Sequence, residues 1–290
     1  MTRTETFCFP KPASFCRTCT QTRILSVHKT GKVRAVLDLN SKSGLSDRVN
    51  FLVDAGIDSR VDEEPRRYLG CSAVGGECER AVQYEALTTV FRGISHVVPS
   101  GTAAIVFPPR TRRIFERGHL VEKCAAGWLR RAGFVLETLD PLTSDQREIS
   151  FLDGRVLGHC DGILLHWLGV GTSPVQLPAL WECKCLGHKW VSAMRRNGVK
   201  RSHPKYWAQM QLYMGGLRLQ RGLITAVDAD TMELRHELVE FDETAFKALL
   251  ARAEHVLTCS EAGEMVPRCA TTPAALECKM CHWANACWKD

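Results

Sequence analysis

The chain has 290 residues with a hydrophobic content of 45%, which is ordinary for a globular protein with a buried core and excludes intrinsic disorder. No apolar run approaches the roughly 18 to 20 residues that cross a bilayer, so we expect no membrane partner. The formal net charge of +6 is, as a total, only weak evidence for a polyanionic partner.

The first 45 residues differ from the rest, and we treat 1–45 as an N-terminal appendage whose role the residues do not specify. The start, MTRTETFCFPKPASF, lacks the charged and then apolar layout of a signal peptide, so we expect a cytoplasmic protein. Alternating residues between Val33 and Leu39 are compatible with a short strand. A possible small zinc site in this segment is too loosely spaced to be predicted. Its members would be Cys8, Cys16, Cys19 and His28.

The pattern of apolar and turn residues predicts an alternation of helices and strands from residue 45 onward. Helices are predicted near 45–56, 74–91, 112–132, 203–218 and 242–260, and strands near 133–139, 155–167 and 179–186, with a strand pair within 222–240. Gly133 is placed to end its helix in a left-handed conformation. This order predicts an α/β fold with a central mixed sheet flanked by helices.

The helix near 112–132 has a polar face apart from its apolar stripe. His119 and Glu122 fall together on it, one turn apart, beside Gly118. Glu122 is a candidate metal ligand and His119 a substitute or outer ligand, although an exposed helical glutamate shows the same pattern.

The segments GHCDGILLHW and PALWECKCL carry the most informative pattern. Asp161 lies on one predicted strand, and Glu182 and Lys184 project from one face of the next, because side chains alternate along a strand. Two carboxylates from neighbouring strands can hold a hard divalent cation, and the lysine can hold or deprotonate an attacking water. An isolated E-x-K triplet would indicate an exposed strand edge, but the apolar neighbours of WECKC argue against that here.

The segment that follows is basic and contains no Asp or Glu between residues 183 and 227, which suits a phosphate backbone. Its basic residues are Lys184, Lys189, Arg195, Arg196, Lys200, Arg201, Lys205, Arg218 and Arg221. In the helix near 203–218, Lys205, Gln209 and Tyr213 share one face, distinct from the apolar stripe. This face suits contacts to phosphate or base.

Fourteen cysteines in a chain of this size without an export signal favour metal ligation over a disulfide framework. Cys278, Cys281 and Cys287 form a C-x2-C-x5-C arrangement, one ligand short of the four that zinc or an iron-sulfur cluster requires. The spacing does not identify the metal; for zinc, His282 or Cys269 are alternative fourth ligands.

Taken together, these motifs resemble the RecB-type branch of the PD-(D/E)XK nucleases, which includes phage exonucleases. The resemblance implies a restriction-endonuclease-like core and a Mg²⁺- or Mn²⁺-dependent DNA nuclease. The expected activity is that of an exonuclease acting on single strands or duplex ends in recombination, repair or phage DNA processing. It further implies that Glu122, Asp161, Glu182 and the carbonyl of Cys183 bind the metal. Lys184 would be catalytic, and Gln209 and Tyr213 would support the site. Cys160 replaces the proline of the family name.

The segment around Cys78 resembles the start of the iron-sulfur version of this branch. The resemblance implies that Cys78 joins Cys278, Cys281 and Cys287 in binding a 4Fe-4S cluster, with zinc as the alternative. It implies a nuclease domain over 46–265 and a cysteine-cluster cap over 266–290 that closes onto Cys78.

Two other functions share parts of this pattern. A catalytically inactive nucleic-acid-binding module would keep the cysteines but lose Asp161, Glu182 or Lys184, all of which are present. A site-specific endonuclease of the restriction type shares the core but usually lacks the terminal cysteines.

Overall fold

A computed structural model describes residues 42–58, 66–94 and 106–289. The chain divides into two compact units, Met1–Val53 and Asp54–Asp290. The loose cysteine and histidine set of residues 8–28 and the alternating stretch 33–39 lie outside the described residues.

The described residues form both helices and strands. The helices are α1 (Lys42–Asp58), α2 (Cys71–Val74), α3 (Glu79–Thr88), α4 (Pro109–Arg131), α5 (His188–Ser202), α6 (Pro204–Leu217), α7 (Glu243–Glu261), α8 (Leu276–Lys279) and α9 (Ala284–Cys287). The strands are β1 (Leu69–Gly70), β2 (Phe134–Glu137), β3 (Glu148–Phe151), β4 (Val156–His159), β5 (Gly162–Trp167), β6 (Ala179–Leu186), β7 (Arg221–Asp228) and β8 (Leu234–Glu240). None of the described helices combines the length and apolar character that a membrane crossing requires.

The main sheet has five strands in the order β2-β5-β6-β7-β8. Strands β6 and β7 are parallel, and the other neighbours are antiparallel. A smaller sheet has the order β1-β4-β3. The prediction of a central mixed sheet flanked by helices is therefore confirmed.

Helices cover both faces of the main sheet, so strands β6 and β7 are largely buried on both sides. Leu180 and Ile224 pack in the larger core cluster with Met210 of α6. Trp181, on the opposite face of β6, packs in a second cluster with Leu129 of α4. Strands buried on both faces read as near-continuous apolar runs, which explains the composition of β6 and β7.

Several predicted elements are confirmed. Helix α4 ends at Arg131, and Gly133 follows it with a φ of 103°. Helices α1, α6 and α7 and strands β2, β6, β7 and β8 also match their predicted positions within a few residues.

Other predictions were wrong in part. The strand predicted over 155–167 is two strands, because the chain leaves the small sheet after β4 and enters the main sheet at β5. The helix predicted near 74–91 begins only at Glu79, after Gly75 and Gly76. Strand β3 and helix α5 were not predicted. Helix α5 buries only Val191, Met194 and Val199, too few residues for a clear apolar stripe.

Candidate active site

Asp161 stands where the chain crosses from the small sheet to the main sheet, between β4 and β5. Its side chain is buried, and its Oδ2 accepts a 2.7 Å hydrogen bond from the N–H of Cys183 in β6. The break in the predicted strand therefore orients this carboxylate toward the strand that carries Glu182 and Lys184.

Glu182 is the most deeply buried acidic residue of the site, with an exposed fraction of 0%. Its Oε1 accepts hydrogen bonds from Lys184 Nζ and, at 3.0 Å, from Gln209 Nε2. The same Gln209 nitrogen lies 3.0 Å from the hydroxyl of Tyr213. Two residues of helix α6, Gln209 and Tyr213, thus help to fix the Glu182 carboxylate of strand β6.

The second oxygen of Glu182, Oε2, is buried and has no hydrogen-bond partner within the described part of the chain. An unpaired buried carboxylate oxygen is costly unless another group compensates its charge. A divalent cation, which prefers oxygen ligands, fits this requirement.

Three carboxyl groups of this site have raised pKa values. Burial, and then the charge of Asp161, raises the pKa of Glu182 to about 8 and that of Glu122 to about 7. Burial also raises the pKa of Asp161, which Lys184 opposes. A cation that binds among these carboxylates would relieve the repulsion that Asp161 exerts on Glu122 and Glu182.

Lys184 is the positive charge at the centre of this group. Burial alone would lower its pKa, but Glu182 and Asp161 outweigh burial and raise the pKa above its ordinary value. The side chain is therefore an ammonium group at neutral pH. Its Nζ also lies 5.3 Å from the centre of the Tyr206 ring, a contact that the sequence analysis missed.

The remaining predicted ligands are less closely placed. The His119 side chain is 75% exposed, and its Nδ1 lies 3.9 Å from Glu122 Oε2. Within the described ranges, no three His, Cys, Asp or Glu side chains converge as metal ligands. The fold thus brings Glu122, Asp161 and Glu182 within electrostatic reach of one another, and His119 remains at the rim.

These pKa shifts predict that metal binding depends on pH. A protonated carboxyl must release its proton to bind a cation, so raised pKa values weaken binding as the pH falls through them. We expect the affinity for Mn²⁺ to drop by more than about tenfold between about pH 8 and about pH 6, because both Glu122 and Glu182 must lose a proton, and calorimetric titration measures it. Glu122→Gln should flatten this dependence. Equal affinity at both pH values would contradict the prediction.

A second group of ionisable side chains lines a small cavity of about 20 Å³ at the C-terminal end. The cysteines that line it are Cys78, Cys269, Cys278, Cys281 and Cys287. All are free thiols. Burial, and then the proximity of the Cys78, Cys278 and Cys287 thiols, raises the pKa of Cys281. The four cysteines that the sequence analysis grouped are therefore neighbours.

Cys269 is a fifth cysteine at this cavity, and it contacts Cys78. Burial would raise the pKa of Cys78, but hydrogen bonding with the Cys269 side chain contributes to lowering it. His282, the other alternative ligand, is not among the described residues that line the cavity, and its ring lies 6.4 Å from that of Phe107.

Protein contacts hold the C-terminal segment against α3 beside the cysteines. Arg80 Nε donates to the carbonyl of Val266 at 2.6 Å. Gln83 bonds the same segment twice, to the Glu264 carbonyl at 2.7 Å and from the Val266 N–H at 2.8 Å. The rings of Tyr84 and Trp283 stack with centroids 5.5 Å apart. These contacts place Cys78 opposite the terminal cysteines.

Comparison with known proteins gives a likeness only among solved structures. No family model matches the chain. No curated protein matches it either. An alkaline exonuclease from Laribacter hongkongensis is 16% identical, with a TM-score of 0.46, over 73% of this chain and 93% of that one. A phage-related exonuclease from Haemophilus somnus 129PT is 14% identical, with a TM-score of 0.45, over 67% of this chain and 94% of that one. The protein SSO0001 is 14% identical, with a TM-score of 0.43, over 83% and 96% of the two chains.

Proposed function

We propose that the chain is a DNA nuclease that depends on a divalent metal ion and hydrolyses phosphodiester bonds. The observation that carries the proposal is Glu182, a fully buried carboxylate held through one oxygen by Lys184 and Gln209 while its other oxygen is unpaired among the described residues. A buried carboxylate in this state, beside the buried Asp161, suits a cation site better than a structural ion pair.

The residues that would hold Mg²⁺ or Mn²⁺ are Glu182, Asp161, Glu122 and the backbone carbonyl of Cys183. Three of them are acidic side chains with raised pKa values, and oxygen is the ligand atom that both cations prefer. A bound cation supplies charge stabilisation at the phosphate and leaving oxygen. Outside these four, His119 would interact with Glu122 from the rim.

Lys184 would position the attacking water. Its raised pKa makes it an ammonium group, which donates hydrogen bonds and accepts none. It would therefore hold the water oxygen or a phosphate oxygen, rather than act first as a base. Gln209 would keep Glu182 in place, and Tyr213 would in turn orient Gln209, because each contact is a 3.0 Å hydrogen bond.

The resemblance to RecB-type nucleases favours an exonuclease that acts on free DNA ends. An exonuclease cuts linear DNA but not covalently closed circles, because a circle offers no end. We therefore expect rapid loss of a linear single strand and persistence of a closed circular strand of the same sequence, followed on denaturing gels. Equal cutting of both would establish an endonuclease. If only the linear strand is cut, labelling its 5′ end and its 3′ end separately shows which end is released first and so gives the polarity.

We further propose that Cys78, Cys278, Cys281 and Cys287 bind a 4Fe-4S cluster, with zinc as the alternative. The support is their common position around one cavity and the absence of disulfides among the described cysteines. Four thiolates satisfy either metal centre. Such a centre would fasten the cap, residues 266–290, to a nuclease domain over 46–265.

A further inference from the structure

An exposed tryptophan lies near the start of α5. Trp190 is 52% exposed, and it belongs to neither hydrophobic core cluster of the described residues. Tryptophan is enriched at binding surfaces, because its ring offers a large apolar face together with a polar N–H.

A series of ring contacts connects Trp190 to the proposed cutting centre. The Trp190 ring meets the edge of His203 at 5.7 Å between centroids. His203 stacks on Tyr206 at 5.4 Å with an interplanar angle of 7°. Lys184 Nζ lies 5.3 Å from the centre of the Tyr206 ring. These aromatic residues therefore form a path from the catalytic lysine to the surface, which we call the aromatic path.

The start of α5, which carries Trp190, is fixed to the end of β7. His188 Nδ1 lies 2.7 Å from Oδ2 of the buried Asp228. The N–H of His188 donates to Asp230 Oδ2 at 2.8 Å. A side chain on such an anchored helix end loses little freedom when a ligand stacks on it.

One basic side chain lies beside the exposed ring, and others follow along the same helix. Lys189 Nζ lies 5.6 Å from the centre of the Trp190 ring, and α5 contains no acidic residue. Arg195 and Lys200 pair with acidic side chains. By contrast, within the described residues, Lys189, Arg196 and Arg201 form no ion pair and remain available to phosphates. Basic residues interleaved with exposed aromatic rings are typical of surfaces that bind single-stranded nucleic acid.

We propose that Trp190 is a stacking platform for an unpaired base of single-stranded DNA, a few nucleotides from the phosphate that is cut. The position next to the cutting centre rests on the proposed nuclease function. The occupant is a single strand rather than a duplex, because paired bases hide both faces inside the stack. The platform would select substrates with an unpaired end.

The test measures binding of a fluorescein-labelled single strand and of a blunt duplex in EDTA, so that no cutting interferes. Trp190→Ala should weaken binding of the single strand about tenfold and leave the duplex nearly unchanged. Trp190→Phe should retain most of the affinity. Leu168→Ala is the matched control, because Leu168 is 76% exposed and follows the end of β5 away from Asp161. It should change neither affinity.

An abasic scan locates the base. In the wild type, one or two abasic positions in the single strand should weaken binding as much as Trp190→Ala does, and in Trp190→Ala the same positions should have no further effect. An equal loss for single strand and duplex would overturn the proposal. So would unchanged DNA binding with an altered oligomeric state, which would indicate a protein contact.

The outcomes separate this inference from the nuclease proposal. A wild type that cuts DNA while Trp190→Ala binds single strands normally overturns the platform alone. A wild type that binds through Trp190 but never cuts overturns the nuclease and supports the platform.

Discussion

Replacing Lys184 by alanine is expected to slow metal-dependent cleavage by about 10²- to 10⁴-fold. The side chain donates to Glu182 and lies close enough to Asp161 to shift its pKa, so its removal takes away the donor that would position water. DNA binding should be nearly unchanged, because the basic residues of α5 remain. Single-turnover cleavage at saturating DNA measures the first effect, and fluorescence anisotropy measures the second.

The matched control is Lys205→Ala, which removes one lysine from the exposed start of α6. It should weaken DNA binding modestly and leave the rate at saturating DNA near the wild-type value. Because Lys184→Ala leaves Glu182 buried with less compensation, its thermal unfolding is recorded in parallel. A folded Lys184→Ala variant that cuts at the wild-type rate would remove this residue from the mechanism.

Replacing Cys281 by alanine is expected to remove most of the bound metal and to lower the midpoint of thermal unfolding by on the order of 10 °C. Loss of one ligand leaves three, fewer than a 4Fe-4S cluster or a structural zinc ion requires. The reason for the loss of stability is that metal binding to a folded site adds its free energy to that of folding. Iron, zinc and sulfide analysis of anaerobically purified protein measures the metal, and scanning calorimetry measures the unfolding.

Cys269→Ala is the matched control for the cluster, because Cys269 lines the same cavity but lies outside the four-cysteine set. It should keep a metal content near that of the wild type. Loss of metal in Cys269→Ala together with full retention in Cys281→Ala would show that Cys269, and not Cys281, is a metal ligand. A wild type without iron or zinc would contradict the cluster proposal.

The main sheet and the elements next to the cutting centre could be predicted because their signals are local. Strand β6 alternates Glu182 and Lys184 with residues of the opposite face, a pattern that depends only on the geometry of one strand. Helix α4 ends at Arg131, two residues before Gly133, whose φ of 103° is a strong stop signal for a helix.

The features that sequence reasoning missed depend on contacts between distant segments. The break before β5, at Asp161, reflects a change of sheet partner, which no pattern within a single strand encodes. Helix α5 packs through only three buried residues, so its sequence shows no clear apolar stripe. Its many charged residues therefore hid the helix from pattern analysis. Cys269 was named only as an alternative zinc ligand, and its contact with Cys78 depends on the fold. The contact between Tyr206 and Lys184 likewise joins residues of two different elements.

Nuclease activity is tested by incubating end-labelled linear DNA with anaerobically purified wild-type protein in Mg²⁺, in Mn²⁺ and in EDTA. We expect cleavage with at least one of the two metals and none with EDTA. Tight binding without cleavage in either metal would rule out the proposed nuclease, and the chain would then be a nucleic-acid-binding module.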